Sequence, residues 1–548
     1  MKFRFRNSLK LLCSLGCCLL ASTVLANDPP MLPGSYLDQP ASALTLIEDP
    51  SPSDKVAAPS KEATSDAVKN LSEEDIKKII DKHLKEKAEK DEAKLTDKER
   101  KDKELQMSAK WNNGLELTTK DKQFRMHVGG RHQIDWSGFS VPQNVQNNIN
   151  IPYANGVDLR RSRMRMDLTL YEVHEFCAEF DFVNSVRVRN QPAPGGLVFP
   201  AGTAPTFFDQ TVTAPTDLWY QMNVVPFLGS AKMRIGNQKE QVGFEHIVSS
   251  RFLPFMERSY NQDTFYGGSF NGFQPGITIF DTYCEEMGVW NVGVFKPCNN
   301  LFAASNGTGD WAISGRATRL LLWENEGEQL IHLGVSGRQG TAYSQAGVPG
   351  RVVTYRTRDA IRAGLSAEWP VPASINLFGE NSQTANGELV MVNGPWTWQS
   401  EYLVNALDDA RVNFASPGQY ARYHGGYMQL LYFITGEHDH YSRKTGAFER
   451  VTPRNNFFRN CKCHGASGWG AWQVGFRYNY LDLNDKGLNG GSLNNYTLGL
   501  NWFWNPNMKM QFNYSVTQRD MSKVVSPVDR TAGSGQINGF GTRLAIDF

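Results

Sequence analysis

The chain has 548 residues, with 57 basic and 56 acidic side chains, 10 histidines and a formal net charge of +1. That balance excludes the basic surplus of a nucleic-acid-binding protein, and any preference for an ion must come from where charges sit, not from their sum. Beyond the N-terminus no stretch offers the roughly 18 consecutive apolar residues of a membrane-spanning helix, so the mature chain is either soluble or enters a membrane as a barrel.

The opening "MKFRFRNSLKLLCSLGCCLLASTVLAND" has basic Lys2, Arg4, Arg6 and Lys10, then an apolar run, then small residues at Val24-Leu25-Ala26. It resembles a secretory signal peptide over residues 1–26, cleaved after Ala26. Five cysteines follow it, Cys177, Cys284, Cys298, Cys461 and Cys463, and an odd number in an export compartment argues against a disulfide framework. Residues 27–70, rich in Pro, Ala and Ser, read as a flexible linker. Residues 71–106 are different: 23 of the 33 residues from Ser72 to Glu104 are charged, with the signs interleaved. Ile76, Ile80, Leu84 and Ala88, at spacing four, predict a solvated helix or short coiled coil there, and a charged disordered spacer is the alternative.

From Trp111 onward the period changes to two. In "DLRRSRMRMDLTL" (158–170), Arg161, Arg163, Arg165 and Asp167 share one face while Met164, Met166, Leu168 and Leu170 share the other. A strand stacks such arginines roughly 6.6 Å apart. "FRMHVGGRHQIDW", "WQVGFRYNY" and "MKMQFNYSV" alternate in the same way, and the chain ends "FGTRLAIDF" with an aromatic last residue. Alternating segments of about ten residues, aromatic at their ends and separated by short turns and long polar loops, predict a transmembrane β-barrel over 111–548; a soluble β-sandwich is the alternative. In a barrel the arginine row must face the lumen, because a one-residue slip would place each cation in hydrocarbon at about 2–4 kcal/mol.

The stretches "GVDLRRSRMRMDLTL", "RIGNQKEQVGFEHIVSSRFLPFMERS", "GRATRLLLWENEGEQLIHLGVSGR", "YFITGEHDHYSRKTGAFERVTP" and "LGLNWFWNPNMKMQFNYS" resemble, in order, the phosphate-selective porin O and P family. The resemblance implies an antiparallel barrel of 16 strands, homotrimeric, with a third loop near 240–274 folded inward and basic residues along the route. Alternation alone counts sixteen to eighteen segments and leaves 370–395 unassigned.

A porin has no catalytic step and needs no cofactor; its chemistry is ion solvation. The expected anion-binding residues are Arg161, Arg163, Arg165, Arg125, Arg131, Lys232, Arg234 and Arg251, since a guanidinium offers planar forked donors to phosphate oxygens. His127, Arg338, Arg362, Arg477 and Arg543 share lumen parity. Arg160, of the opposite parity, is expected at the membrane interface. Arg258 reads as a salt-bridged fastening of the third loop, with Glu245 or Glu257 as partner. Asp167, Glu179 and Asp181 also have lumen parity, so the arginines serve either the ion or a network within the wall. His438 and His440, and Cys461, Cys463 and His464, have metal-like spacing in a long loop but lack the supporting shell of a metal site.

The expected function is passive outer-membrane conduction of small anions, phosphate or polyphosphate foremost. A general diffusion porin of the same fold is one alternative. A structural barrel tethering cell-wall material through residues 71–106 is another.

Overall fold

The computed structural model describes residues 77–78, 80–87, 105–188, 210–266, 272–297, 310–344, 350–362, 370–457, 468–524 and 533–548. The signal peptide, the linker and Cys298, Cys461, Cys463 and His464 lie outside the described residues. The chain divides into two units, Met1–Ala88 and Glu89–Phe548. In the first, residues 77–78 and 80–87 are helical, with Ile80 and Leu84 exposed.

The second unit is a closed antiparallel barrel of sixteen strands, preceded by a two-stranded hairpin joined to the same sheet. In chain order the barrel strands are β1 (Phe124–Ser140), β2 (Gly156–Leu170), β3 (His174–Val188), β4 (Gln210–Met222), β5 (Lys232–Lys239), β6 (Phe273–Tyr283), β7 (Gly288–Phe295) and β8 (Ala312–Glu324). They continue as β9 (Gln329–Thr341), β10 (Asn381–Asn393), β11 (Trp396–Ala410), β12 (Gln419–Phe433), β13 (Ala471–Asp485), β14 (Leu488–Asn505), β15 (Met508–Asp520) and β16 (Gly535–Asp547). β16 pairs with β1 from Asn538↔Ser140 to Asp547↔Arg131, which closes the sheet. Phe548 extends that seam, its N–H donating to Gly130 O at 3.0 Å. Just below it the hairpin Met107–Trp111/Leu115–Thr119 takes over the edge of β1 that β16 leaves, pairing Leu115 with Val128. The segment that alternation left unassigned splits in two: Ala373–Phe378 belongs to a small sheet inside a loop, and 381–393 is β10.

Burial along the strands is the reverse of a soluble sheet. On β15, Gln511, Asn513, Ser515 and Thr517 are buried, whereas Tyr514 is 47% exposed. β16 buries Arg543 completely and exposes Phe540. A lipid-facing barrel needs this arrangement: apolar side chains outside, hydrogen-bonding side chains inside, and every strand paired so that no backbone edge meets hydrocarbon.

Most connections at one end are short, as at 171–173, 284–287, 325–328, 394–395 and 506–507. Positive φ angles at Tyr171, Glu172, Cys284, Glu285 and Glu326 make the tight reversals there. The longest is 434–470, whose described residues 434–457 fold back into the barrel. Its Tyr441 and Phe448 pack with Phe244, Leu320, Leu330 and Val390, and Arg450 is bonded to Asp547 and to the Pro506 carbonyl. From the opposite end comes loop L3 (240–272), whose residues 253–260 run along the inside of β13–β16. Its Leu253 carbonyl accepts from Lys509 Nζ at 2.8 Å and from Gln511 at 3.1 Å, and its Pro254 carbonyl accepts from Asn501. Loop L5 (342–380) adds Arg358, Asp359 and Arg362; the Tyr260 hydroxyl of L3 donates to Asp359 at 3.2 Å.

The 434–470 segment carries one group whose titration is set by its burial. Asp439 is buried beside Gln473, and its carboxyl is pushed up to about 6, chiefly by burial. A carboxyl raised above its unfolded value near 3.8 leaves the folded state holding more protons than the unfolded state between those pH values. Stability therefore falls as pH rises from about 4 to about 6, then levels off. Asp439→Asn is expected to flatten that segment of a melting-temperature profile taken from pH 4 to 7; an unchanged slope would count against it.

Candidate anion pathway

Loop L3 leaves β5 at Lys239 and returns across the lumen, narrowing it against β1–β5. Between loop and wall lies a cavity of about 440 Å³, lined by Arg131, Arg161, Arg163, Arg165, Arg234, Lys239, Arg251 and Arg258 against only two carboxylates, Glu179 and Asp217. Ser249, Ser250 and Thr445 complete much of its polar lining.

Each arginine of the row is held from behind. Arg163 Nε donates to Asp181 at 2.8 Å and its Nη1 to Glu179 at 3.0 Å. Glu179 also takes a 2.5 Å bond from Arg131, whose other arm reaches the hydroxyls of Ser249 and Ser250 at 3.2 and 3.0 Å. Arg165 grips Asp167 at 2.8 Å and touches Asp217 at 3.2 Å, while Arg161 donates to the Gln133 amide oxygen at 2.7 Å. These bonds fix the guanidinium planes, which is the condition for several donors to converge on one anion. The alternating register of β2 against β3, with Arg163 opposite Asp181 and Arg165 opposite Glu179, is what brings the charges together.

Three cations of the cavity have no carboxylate within ion-pair reach among the described residues. Arg234 donates to the Gln221 amide oxygen at 2.7 Å and lies 3.9 Å over the Trp219 ring. Lys239 Nζ donates to the His246 carbonyl, at 2.9 Å. Arg258 donates to the carbonyls of Glu245 and Val248, at 2.9 and 2.5 Å; it fastens the loop, but through main-chain oxygens and not through a carboxylate. Arg251 stands 4.0 Å from Asp547.

Arg160 corrects the parity reading. A bulge between Gln133 and Ile134 breaks the β1–β2 register, with Gln133 facing Arg161 and Ile134 facing Leu159. The extra residue turns Arg160 inward. It makes a bidentate pair with Glu257 of L3, at 2.7 and 2.9 Å, so it belongs to the lumen and not to the membrane interface. Glu257 also meets Arg543 at 2.8 Å, Arg362 at 3.4 Å and Arg161 at 3.8 Å. Burial alone would raise the Glu257 carboxyl, but the surrounding arginines hold it well below the usual carboxylate range.

The remaining expected residues fall elsewhere. Arg125 is exposed near the short-turn end of β1, reaching the Thr169 hydroxyl at 3.4 Å. Lys232 is the first residue of β5 and does not line the cavity. His127 contacts the Asn112 carbonyl of the preceding hairpin. Arg477 pairs with Glu245 at 2.6 Å, and Arg543 with Asp135 at 2.6 Å. Arg338 pairs with Glu240 at 2.9 Å; both line a separate cavity of about 400 Å³ on the other side of the L3 root. Alternation missed Lys239, Ser249, Ser250 and Asp217. The first three sit where the chain leaves the strand pattern, and Asp217 follows the irregular β3–β4 register between Ala178 and Phe180.

A closed barrel with an inverted burial pattern, narrowed by inward loops around a charged passage, is an outer-membrane porin. Residues 126–548 match the model of the phosphate-selective porin O and P family, and the chain belongs to that family. Among curated relatives it is similar to Porin O of Pseudomonas aeruginosa, 22% identical over 80% of this chain and 92% of that one. It is also similar to an uncharacterized protein of Caulobacter vibrioides, 24% identical over 80% and 76% respectively. Among solved structures it aligns with the anion-selective porin from Comamonas acidovorans, at 10% identity and a TM-score of 0.43, over 78% of this chain and all of that one.

Proposed function

We propose that this porin conducts small anions passively, phosphate foremost, through the cavity between L3 and β1–β5, and that it works as a homotrimer. The observation that carries the reading is the imbalance of that cavity: eight cations line it with two carboxylates. Arg234, Lys239 and Arg258 supply charge that no paired acid cancels, while Arg163 and Arg165 supply donors already held in position. An anion entering trades water for these donors. It leaves because Arg131, Arg161, Arg163, Arg165 and Arg234 keep competing partners in Glu179, Asp167 or the amides of Gln133 and Gln221, and Arg258 in main-chain carbonyls, which limits how tightly any one position binds. The family's description as phosphate-selective and the relative named Porin O support the choice of anion.

The pairing of Arg163 with Asp181 and Glu179 favours a second reading, a general diffusion porin whose arginines brace the wall. Titrating phosphate against the chloride current of the protein in planar bilayers separates the two. Phosphate binding in the cavity predicts a saturable block of chloride current; a chloride current indifferent to phosphate would leave only the general porin.

A further inference from the structure

The outer wall of the barrel is not uniformly convex. Over β8–β13 it carries a groove of about 850 Å³. Its floor is low because Gly387 and Gly426 stand at outward positions, and a Cβ added at Gly387 would meet nothing within 4 Å. Leu333, Leu389, Tyr402 and Met428 form its sides. The outward positions of β8 in the groove's neighbourhood are Ile313, Gly315, Ala317, Arg319 and Leu321, and of these Arg319 alone is charged.

Arg319 is exposed and has no acidic side chain within ion-pair distance among the described residues. It lines the groove together with Tyr283. Its strand partner is Gly288, the first residue of β7, directly above the short turn 284–287. The Arg319 guanidinium lies 5.9 Å from the centre of the Tyr283 ring, and that ring is fixed by a hydroxyl bond to the Thr318 carbonyl at 2.6 Å. A cation facing lipid is costly in hydrocarbon and favourable at the headgroup level, where an aromatic ring also prefers to sit. The end with the short turns is the periplasmic end of an outer-membrane barrel. Charge and level together therefore call for an anionic headgroup from the periplasmic leaflet at Arg319, with hydrocarbon above it.

We propose that this groove is a specific glycerophospholipid site, with the lipid phosphate on Arg319 and one acyl chain lying over Gly387 and Gly426 between Leu389 and Met428. The site is separate from the conduction pathway and independent of which anion the pore carries. It gives the barrel a retained lipid, not merely a passing lipid neighbour.

The test is native mass spectrometry of the full-length protein extracted in mild detergent from membranes, with the bound lipid identified by fragmentation. Two variants accompany it: Arg319→Gln, which removes the phosphate partner, and Gly387→Phe, which fills the groove at a position with open space. The expected result is a glycerophospholipid adduct on the wild type, lost or reduced at least tenfold in both variants, with heat-modifiable barrel migration unchanged. No adduct on the wild type, an adduct that survives both substitutions, or a lipopolysaccharide adduct in its place would each overturn the proposal. So would loss of oligomers in the two variants without any change in lipid, which would mark the groove as a contact between copies of the chain.

Discussion

Glu257→Ala is expected to detach loop L3 from the barrel wall and widen the pore. The carboxylate receives a bidentate pair from Arg160 on β2 and a 2.8 Å bond from Arg543 on β16, with Arg362 of L5 at 3.4 Å. It thus ties three separate parts of the structure to one loop residue. Deleting one partner of a buried ion cluster leaves like charges facing each other without compensation, and such losses run to about 3–5 kcal/mol. The barrel itself is held by the hydrogen bonds of a closed sheet and does not depend on this contact, so the loss falls on the loop. L3 carries its own reporters, because Arg251 and Arg258 are trypsin sites that are buried or nearly so in the wild type. The variant is expected to be cut in L3 while the barrel stays intact, and its single-channel conductance is expected to rise. Wild-type resistance to trypsin together with wild-type conductance would show that L3 is held by its other contacts, such as Lys509 and Gln511 on the Leu253 carbonyl.

Arg234→Gln and Lys239→Gln are expected to weaken phosphate binding without harming the fold. They are the informative substitutions because, among the described residues, neither cation has a carboxylate partner whose charge would be stranded. Removing Arg163, by contrast, would strand Glu179 and Asp181, and any loss of selectivity would be mixed with a loss of structure. A unit charge about 7 Å from the anion contributes about 2.4 kcal/mol at an effective dielectric of 20, or roughly fifty-fold in occupancy, and screening by salt in an open pore reduces this. The half-blocking phosphate concentration is therefore expected to rise by roughly ten-fold or more for each single variant. Thermal stability should be close to wild type. Block at unchanged concentration in the double variant would remove these two residues from the pathway.

What the sequence made legible was what period two can carry. The alternation of 158–170 aligns Arg161, Arg163, Arg165 and Asp167 on one face, and the same parity gives Glu179 and Asp181 of the next strand to the lumen; the structure adds the register that sets Arg163 opposite Asp181 and Arg165 opposite Glu179. Arg160 was misread because a bulge adds one residue to β2 opposite Gln133 and Ile134, and nothing in the local pattern announces it. Lys239 escaped because it ends β5 on the parity opposite to Lys232 and Arg234; Ser249 and Ser250 escaped because a loop folded against a wall has no periodicity, and its contacts are set by side chains more than a hundred residues away, as in the bond from Arg131 to Ser250. The same limit hid the inward course of 434–457. Its Tyr441 and Phe448 look like any loop aromatics until Phe244 and Leu330 are brought beside them.

Whether an excess of fixed cations in one narrow cavity selects anions is tested most directly by the reversal potential of the purified protein in a planar bilayer under a salt gradient. The arrangement of Arg131, Arg161, Arg163, Arg165, Arg234, Lys239, Arg251 and Arg258 around two carboxylates predicts strong anion selectivity, with the potential moving toward zero in the Arg234→Gln, Lys239→Gln double variant. A reversal potential near zero or of cationic sign in the wild type, unmoved by that double variant, would contradict it.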